Sequence, residues 1–255
     1  MQREQDRHTI EIHSTTPEAR RLWQKVLQLA EALGGDAPWV LIGGLMVQLH
    51  GFEHGDGSRP TVDIDLLGDS RQRPAMTEQI AAILVSRGGR MEAPPVSDER
   101  LGYKFDLDGE TIEILGSDGV RRDPKTIGKY VTFQVPGGTQ ALHRAEAVWV
   151  SLDDAPAVAV RRPSLLGAIL IKARAVARKR RVKFESDCQD LVRLLSFAGD
   201  PRALAEEVSS KEKKWLRDVE PLLELEDPAL IGAFSPNEVV AAAQSLRLLT
   251  IRSRS

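Results

Sequence analysis

The sequence predicts a chain of the α/β class, in stricter terms α+β: a mixed sheet with flanking helices, followed by a mainly helical C-terminal part. Three observations carry this. Short apolar or alternating runs are interleaved with helical spacings through the first 155 residues. An Asp-Gly pair splits the alternating stretch Tyr103 to Leu115, the signature of a two-residue hairpin. From Pro163 onward the pattern is helical, with almost no strand signal. The expected division is residues 14–155 as one core and residues 156–255 as a helical region completing its site.

The elements follow in order. Residues 17–33 read as an amphipathic helix: Thr15 and Thr16 offer a cap, Pro17 and Glu18 suit the first turn, and Gly34 or Gly35 ends it. Leu22, Val26, Leu29, Ala30 and Leu33 share one face of that helix. A strand Trp39–Ile42 then meets Gly43-Gly44, a short helix runs to about His50, and a polar loop follows through Phe52 to Ser58. Next comes the strand Val62-Asp-Ile-Asp-Leu66. Its alternation turns Val62, Ile64 and Leu66 inward and sets Asp63 and Asp65 side by side on the other face. Pro74 is expected to open a helix through residue 87, closed by Gly88-Gly89. In the hairpin, Asp108-Gly109 sets the register, pairing Phe105 with Ile112 and Lys104 with Glu113. Tyr103, Phe105, Leu107, Ile112 and Ile114 then form its apolar face. Residues 129–135, 147–152 and 157–160 suggest further strands, and residues 200–255 two or three helices.

Composition sets bounds. The 255 residues are 42% hydrophobic and 28% charged, ordinary for a globular protein of ample core, and the net charge of −2 does not announce a nucleic-acid binder. The run Lys172 to Lys183 is nevertheless locally basic: Lys172, Arg174, Arg178, Lys179, Arg180, Arg181 and Lys183, with no acid among them. Cys188 is the single cysteine, which excludes an intramolecular disulfide and a cysteine-based zinc site. No apolar run approaches the roughly 20 residues of a membrane span. The charged N-terminal stretch carries no signal-like apolar region, so a cytoplasmic location is expected.

Paired carboxylates at this spacing repel one another unless a cation lies between them, and magnesium with its oxygen preference is the usual answer. The glycine turn leaves backbone N–H groups open to a phosphate. Asp-x-Asp or Gly-Gly alone is common. Here both occur in order, together with Arg59 and Thr61.

This combination resembles the polymerase-β-like nucleotidyltransferase superfamily, and within it the AbiEii/MenT-like toxins of bacterial toxin–antitoxin systems. The matching residues are Gly43, Gly44, Arg59, Thr61, Asp63 and Asp65, with Lys172, Arg178, Asp187, Asp190 and Leu191 in the C-terminal part. The resemblance covers roughly residues 37–195. It departs in a longer linker between Gly44 and Asp63, in Glu113 where an Asp is usual for the third metal carboxylate (Asp106 being the runner-up), and in Ser186 where a base is usual. It implies transfer of a nucleoside monophosphate from an NTP to an acceptor hydroxyl, with Asp63, Asp65 and Glu113 holding Mg2+ or Mn2+ and acting as the catalytic carboxylates. It further implies that Gly43, Gly44, Arg59, Thr61, Lys172, Arg178, Lys183 and Asp190 bind the nucleotide. RNA, in particular the 3′ end of tRNA, is the implied acceptor, a cognate antitoxin is an implied partner, and no membrane is involved. Two rivals stand beside it: a transferase acting on a small molecule or protein hydroxyl, and a binding module without turnover. Glu113 can also be read as the cross-strand partner of Lys104, and the basic run as a solvated helix face.

Overall fold

The computed structural model describes residues 9–13, 16–56, 59–178, 183–223, 230 and 232–251. Thr15, Gly57, Ser58 and residues 179–182 of the basic run lie outside them. The chain forms two compact units, the first ending at Pro163 and the second beginning at Ser164. The architecture is mixed α and β, with two mixed sheets in the first unit.

In chain order the first unit comprises β1 (Thr9–Ile12), α1 (Pro17–Leu33), β2 (Trp39–Ile42), α2 (Gly43–Glu53), β3 (Asp63–Gly68), α3 (Met76–Ser86) and β4 (Arg90–Met91). There follow β5 (Lys104–Leu107), β6 (Glu110–Ser117), β7 (Gln134–Val135), α4 (Gly138–His143), β8 (Ala145–Leu152) and β9 (Val158–Pro163). Six strands make one sheet in the order β2-β3-β6-β5-β4, with β7 pairing to the far end of β6. The other sheet runs β1-β8-β9.

Local chemistry explains the clear elements. The Thr16 side chain accepts a hydrogen bond from Ala19 N at 3.2 Å, Pro17 fits the first turn, and Gly34 at φ +79° ends α1. The hairpin turn places Asp108 at φ 55° and Gly109 at φ 86°, the conformation its two strands need. The pairs Phe105–Ile112 and Lys104–Glu113 form as the alternation predicts. Phe105, Leu107, Ile112 and Ile114 are buried in one core with Leu22, Trp23 and Val26 of α1, Ile64 and Leu66 of β3, and Val150 and Val160 of the smaller sheet. Burial of that apolar area is the main stabilising contribution.

Several expectations change. Val62 is 79% exposed, because β3 starts only at Asp63 and the preceding residues are not yet paired. Pro74 stays outside α3, which begins at Met76 after a turn closed by Met76 N to Arg73 O. Residues 129–135 yield only the two-residue β7, Tyr103 is half-exposed, and β1 and α4 arise without a signal read in advance. Pro163 ends β9 rather than opening a helix.

The second unit comprises α5 (Leu165–Val176), α6 (Phe184–Ser196), α7 (Pro201–Glu206), α8 (Ser210–Val219), a 3₁₀ turn (Glu220–Leu222) and α9 (Pro236–Thr250). Ser209 and Ser235 each form a capping box with the glutamate three residues on. Cys188 is buried in α6 as a small apolar filler.

One buried polar group in the first unit makes stability sensitive to acid. His50 is 1% exposed, with Nε2 at 3.1 Å from the Pro163 carbonyl oxygen and Nδ1 at 3.8 Å from Glu53. Burial first, and then the charge of Arg162, push its pKa down to about 3. Between the ordinary value of about 6.5 and 3 the unfolded chain holds a proton that the folded chain refuses, so stability falls as pH drops through that window. We expect urea unfolding of the wild type to lose about 1.4 kcal/mol per pH unit more than His50→Gln below pH 6. Parallel pH profiles of the two proteins would refute this account.

Candidate active site

The site is built by strand register. β3 runs antiparallel to β2 and parallel to β6, with Asp65 opposite Ile42 on one side and Glu113 on the other. Asp63 sits two residues earlier, level with Thr111. Alternation therefore gives Asp63, Asp65 and Glu113 one common face. One carboxylate oxygen from each lies within 4.8 Å of the other two, the one group of three potential metal ligands among the described residues. Asp65 is 7% exposed; Asp63 and Glu113 are half-buried. Asp106 is exposed on β5, opposite Thr111, and is not part of the group.

The glycine pair is a steric necessity. Gly43 has φ +73°, and a Cβ there would stand 1.8 Å from Asp65 Oδ2. A Cβ on Gly44 would stand 2.7 Å from Thr61 Oγ1. The start of α2 thus presses directly against the Asp65 and Thr61 side chains, which any other residue at these two positions would displace. Thr61 in turn donates its hydroxyl to Asp63 Oδ1 at 3.0 Å.

Gln48 is a supporting residue that sequence reading passed over. Its Oε1 accepts from the Trp23 indole at 3.2 Å, and its Nε2 donates to the Arg59 carbonyl at 3.0 Å, tying α1 and α2 to the chain just before Thr61. The available signal was an amide within the apolar run Leu45–Leu49. The Arg59 guanidinium reaches the Pro60 carbonyl at 3.3 Å.

Lys104 supplies the nearby cation, its Nζ 3.1 Å from Glu113 Oε1. Burial opposes the ammonium form, but the hydrogen bond and charge of Glu113 outweigh it and raise the lysine above its ordinary pKa. All donors are hard oxygens, and oxygens on opposite sides of one Mg2+ or Ca2+ stand about 4–5 Å apart. The donor set therefore fits a divalent cation.

In the second unit, Lys172 lies on α5 with Nζ at 2.9 Å from Asp187 and 2.7 Å from Asp190, both on α6. The lysine and Asp190 are buried. Burial would lower the lysine pKa, but the two aspartates more than reverse it and hold the charge firmly in place. Arg174 stacks over Trp215 at 4.7 Å from the ring centre. Arg178 and Lys183 are exposed on either side of residues 179–182.

No family model matches the chain, and no curated protein matches it. Among solved structures it is similar to an antigenic nucleotidyltransferase-like protein from Paracoccidioides brasiliensis, at 16% identity and a TM-score of 0.45, over 89% of this chain and 93% of that one. A likeness at that level assigns no residue a role, and the site rests on its own geometry.

Two outcomes are expected. Carboxylates clustered for a metal repel when it is absent, so Asp63→Asn should melt about 2–4 °C higher than wild type in EDTA. In Mn2+ or Mg2+ the wild type should gain stability and Asp63→Asn should not. A wild-type melting temperature indifferent to both ions would count against a metal site. Separately, Lys172→Met should lose about 3–5 kcal/mol in urea unfolding, because it strands two buried carboxylates.

Proposed function

We propose that this chain is a nucleotidyltransferase that moves a nucleoside monophosphate from an NTP to a hydroxyl of RNA. The observation that carries this reading is the convergence of Asp63, Asp65 and Glu113 against a glycine turn that no side chain can enter. That pairing suits a divalent ion and a phosphate at the same place.

Asp63, Asp65 and Glu113 would hold Mg2+ or Mn2+. When bound, the ion supplies charge stabilisation for the attacking and leaving oxygens. The acceptor oxygen forms a bond to the α-phosphorus, the bond from that phosphorus to the bridging oxygen breaks, and pyrophosphate departs with the electron pair. Glu113 takes the acceptor proton at a carboxylate oxygen. The open backbone of Gly43-Gly44 receives the β- and γ-phosphates, the Thr61 hydroxyl turns its proton from Asp63 Oδ1 to a phosphate oxygen, and Arg59 balances their charge. The pattern of the AbiEii/MenT-like proteins also gives nucleotide contacts to Lys172, Arg178, Lys183 and Asp190 of the second unit. In this reading Asp190 and Asp187 orient the Lys172 ammonium, while Arg178 and Lys183 meet the triphosphate or the RNA backbone.

The resemblance further supports the 3′ end of tRNA as acceptor, a growth-arresting toxin in the cytoplasm as the biological role, and a cognate antitoxin as its partner. No described helix is long and apolar enough to cross a membrane. The ion pair of Lys104 with Glu113 favours one second reading. With that carboxylate already matched, the chain would bind NTP through Asp63 and Asp65 without turnover.

The deciding experiment incubates the protein with Mg2+, total tRNA and each α-labelled NTP, beside an Asp63→Ala control. Labelled RNA with wild type and none with Asp63→Ala is the expected result, and it names the nucleotide. Pyrophosphate release without labelled RNA would move the acceptor to a small molecule or protein. NTP binding with no release of pyrophosphate would leave the binding module in its place.

A further inference from the structure

We propose that Lys104 is a binding residue for the acceptor: with RNA in place, its ammonium meets the phosphodiester next to the reacting 3′-hydroxyl. The assignment rests on the nucleotidyltransferase reading above and adds to it the side from which the acceptor approaches.

Strand register sets the parts of the site in a line across the larger sheet. Ile42, the last residue of β2, lies opposite Asp65 of β3, Asp65 opposite Glu113 of β6, and Glu113 opposite Lys104 of β5. Directly opposed residues share a face, so Asp65, Glu113 and Lys104 stand side by side in one row. Neighbouring strands are about 4.8 Å apart, which sets the Lys104 backbone roughly 10 Å from that of Asp65. Gly43 and Gly44 follow Ile42 at the other end of this row, where Asp65 Oδ2 fills the space of a Cβ on Gly43. The order across the sheet is therefore glycine turn, aspartates, Glu113, lysine.

Nucleotidyl transfer gives that order a chemical meaning. The attacking and leaving oxygens lie roughly in line on opposite sides of the phosphorus. With the β- and γ-phosphates at the glycine turn and the α-phosphorus over the carboxylates, the leaving group departs on the β2 side. The attacking hydroxyl then enters from the β5 side, where Glu113 takes its proton and Lys104 is the next side chain in the row. The charge nearest a 3′-terminal hydroxyl of RNA is the phosphodiester one sugar away. A lysine serves such an oxygen as a point charge on a flexible stem.

Lys104 can reach it. Nζ stands 3.1 Å from Glu113 Oε1, and the lysine side chain is 39% exposed against 13% for the glutamate, so the ammonium lies at the solvent edge of the cluster. A cation held by Glu113 draws on the same carboxylate, which loosens its grip on the lysine and lets the stem turn towards a phosphate. Further out on this side stand Asp106, Arg90 opposite it on β4, and Glu92, whose backbone N donates to the Lys104 carbonyl at 2.9 Å. All three are exposed. The two carboxylates among them repel a phosphate and favour its settling at Lys104 instead.

The test compares wild type, Lys104→Met and Lys104→Arg as full-length chains with matching circular dichroism spectra. Label transfer gives kcat and KM for tRNA, isothermal titration in Ca2+ gives NTP affinity, and filter binding of tRNA over a range of KCl gives the salt dependence. For Lys104→Met the expected result is a KM for tRNA raised roughly tenfold and an NTP affinity within about twofold of wild type. Its slope of log affinity against log salt should be shallower by about 0.7–0.9, the share of one phosphate contact. Lys104→Arg, which keeps the charge, should restore the slope and most of the KM. A lower kcat with KM for tRNA and salt slope unchanged would make the lysine a mere anchor for Glu113 and overturn the proposal. Weaker NTP binding with tRNA unaffected would put it on the leaving side and overturn it equally. A Lys104→Met protein identical to an active wild type in all three assays removes the lysine's role alone. A wild type that moves no label to tRNA overturns the proposal together with the reading on which it rests.

Discussion

Asp65 Oδ2 fills the space that a Cβ on residue 43 would need, and the geometry of the site depends on that close approach. Because position 43 is bare, α2 can follow β2 with no intervening loop and start against the Asp65 side chain of β3. The first backbone N–H groups of the helix then stand next to a carboxylate pair instead of above a layer of side chains. Gly44 repeats the arrangement one residue later against Thr61, whose hydroxyl is donated to Asp63. A helix start and a metal-type carboxylate pair are thereby placed in van der Waals contact, which a bulkier turn would prevent.

The charges are distributed unevenly, and the unevenness separates the two units chemically. In the first unit three carboxylates share one small region, and the Lys104 ammonium stands 3.1 Å from that of Glu113. Such a cluster costs stability in the absence of a counterion, the usual mark of a site kept for function rather than for folding. In the second unit one lysine stands between two aspartates and is itself enclosed, so each of those carboxylates has a cation in direct contact. The first arrangement attracts a cation. The second holds a helix pair in one register and resists rearrangement.

Much of this was legible in the sequence where the determining interactions are local. The cap at Thr16, the glycine at the end of α1 and the Asp-Gly hairpin each depend on a few neighbouring residues, and each element formed within a residue or two of its expected ends. The shared face of Asp63 and Asp65 also followed from period-two alternation. The juxtaposition of Glu113 with Asp65 did not, because it depends on parallel pairing of β3 with β6, which no local pattern encodes. For the same reason β1 was invisible, since it is a strand only by virtue of a distant partner, and of the strand expected over residues 129–135 only the two residues that find a place beside β6 pair as β7. Val62 misled because alternation says which way a residue points only once its strand has begun. The expectation for Phe133 as part of a longer strand failed likewise, leaving its ring exposed.

The pairing of β1 with β8 has a consequence for how the molecule is made. Thr9 aligns with Trp149 and Ile12 with Leu152, in parallel. During synthesis the first of these strands leaves the ribosome well before its partner exists, and at about 5–20 residues per second the wait amounts to roughly ten seconds or more. Throughout that interval Ile10 and Ile12, which end up buried, have no sheet to join. The smaller sheet can close only after the larger one has had time to form, so its assembly is a late, long-range event in the birth of the chain.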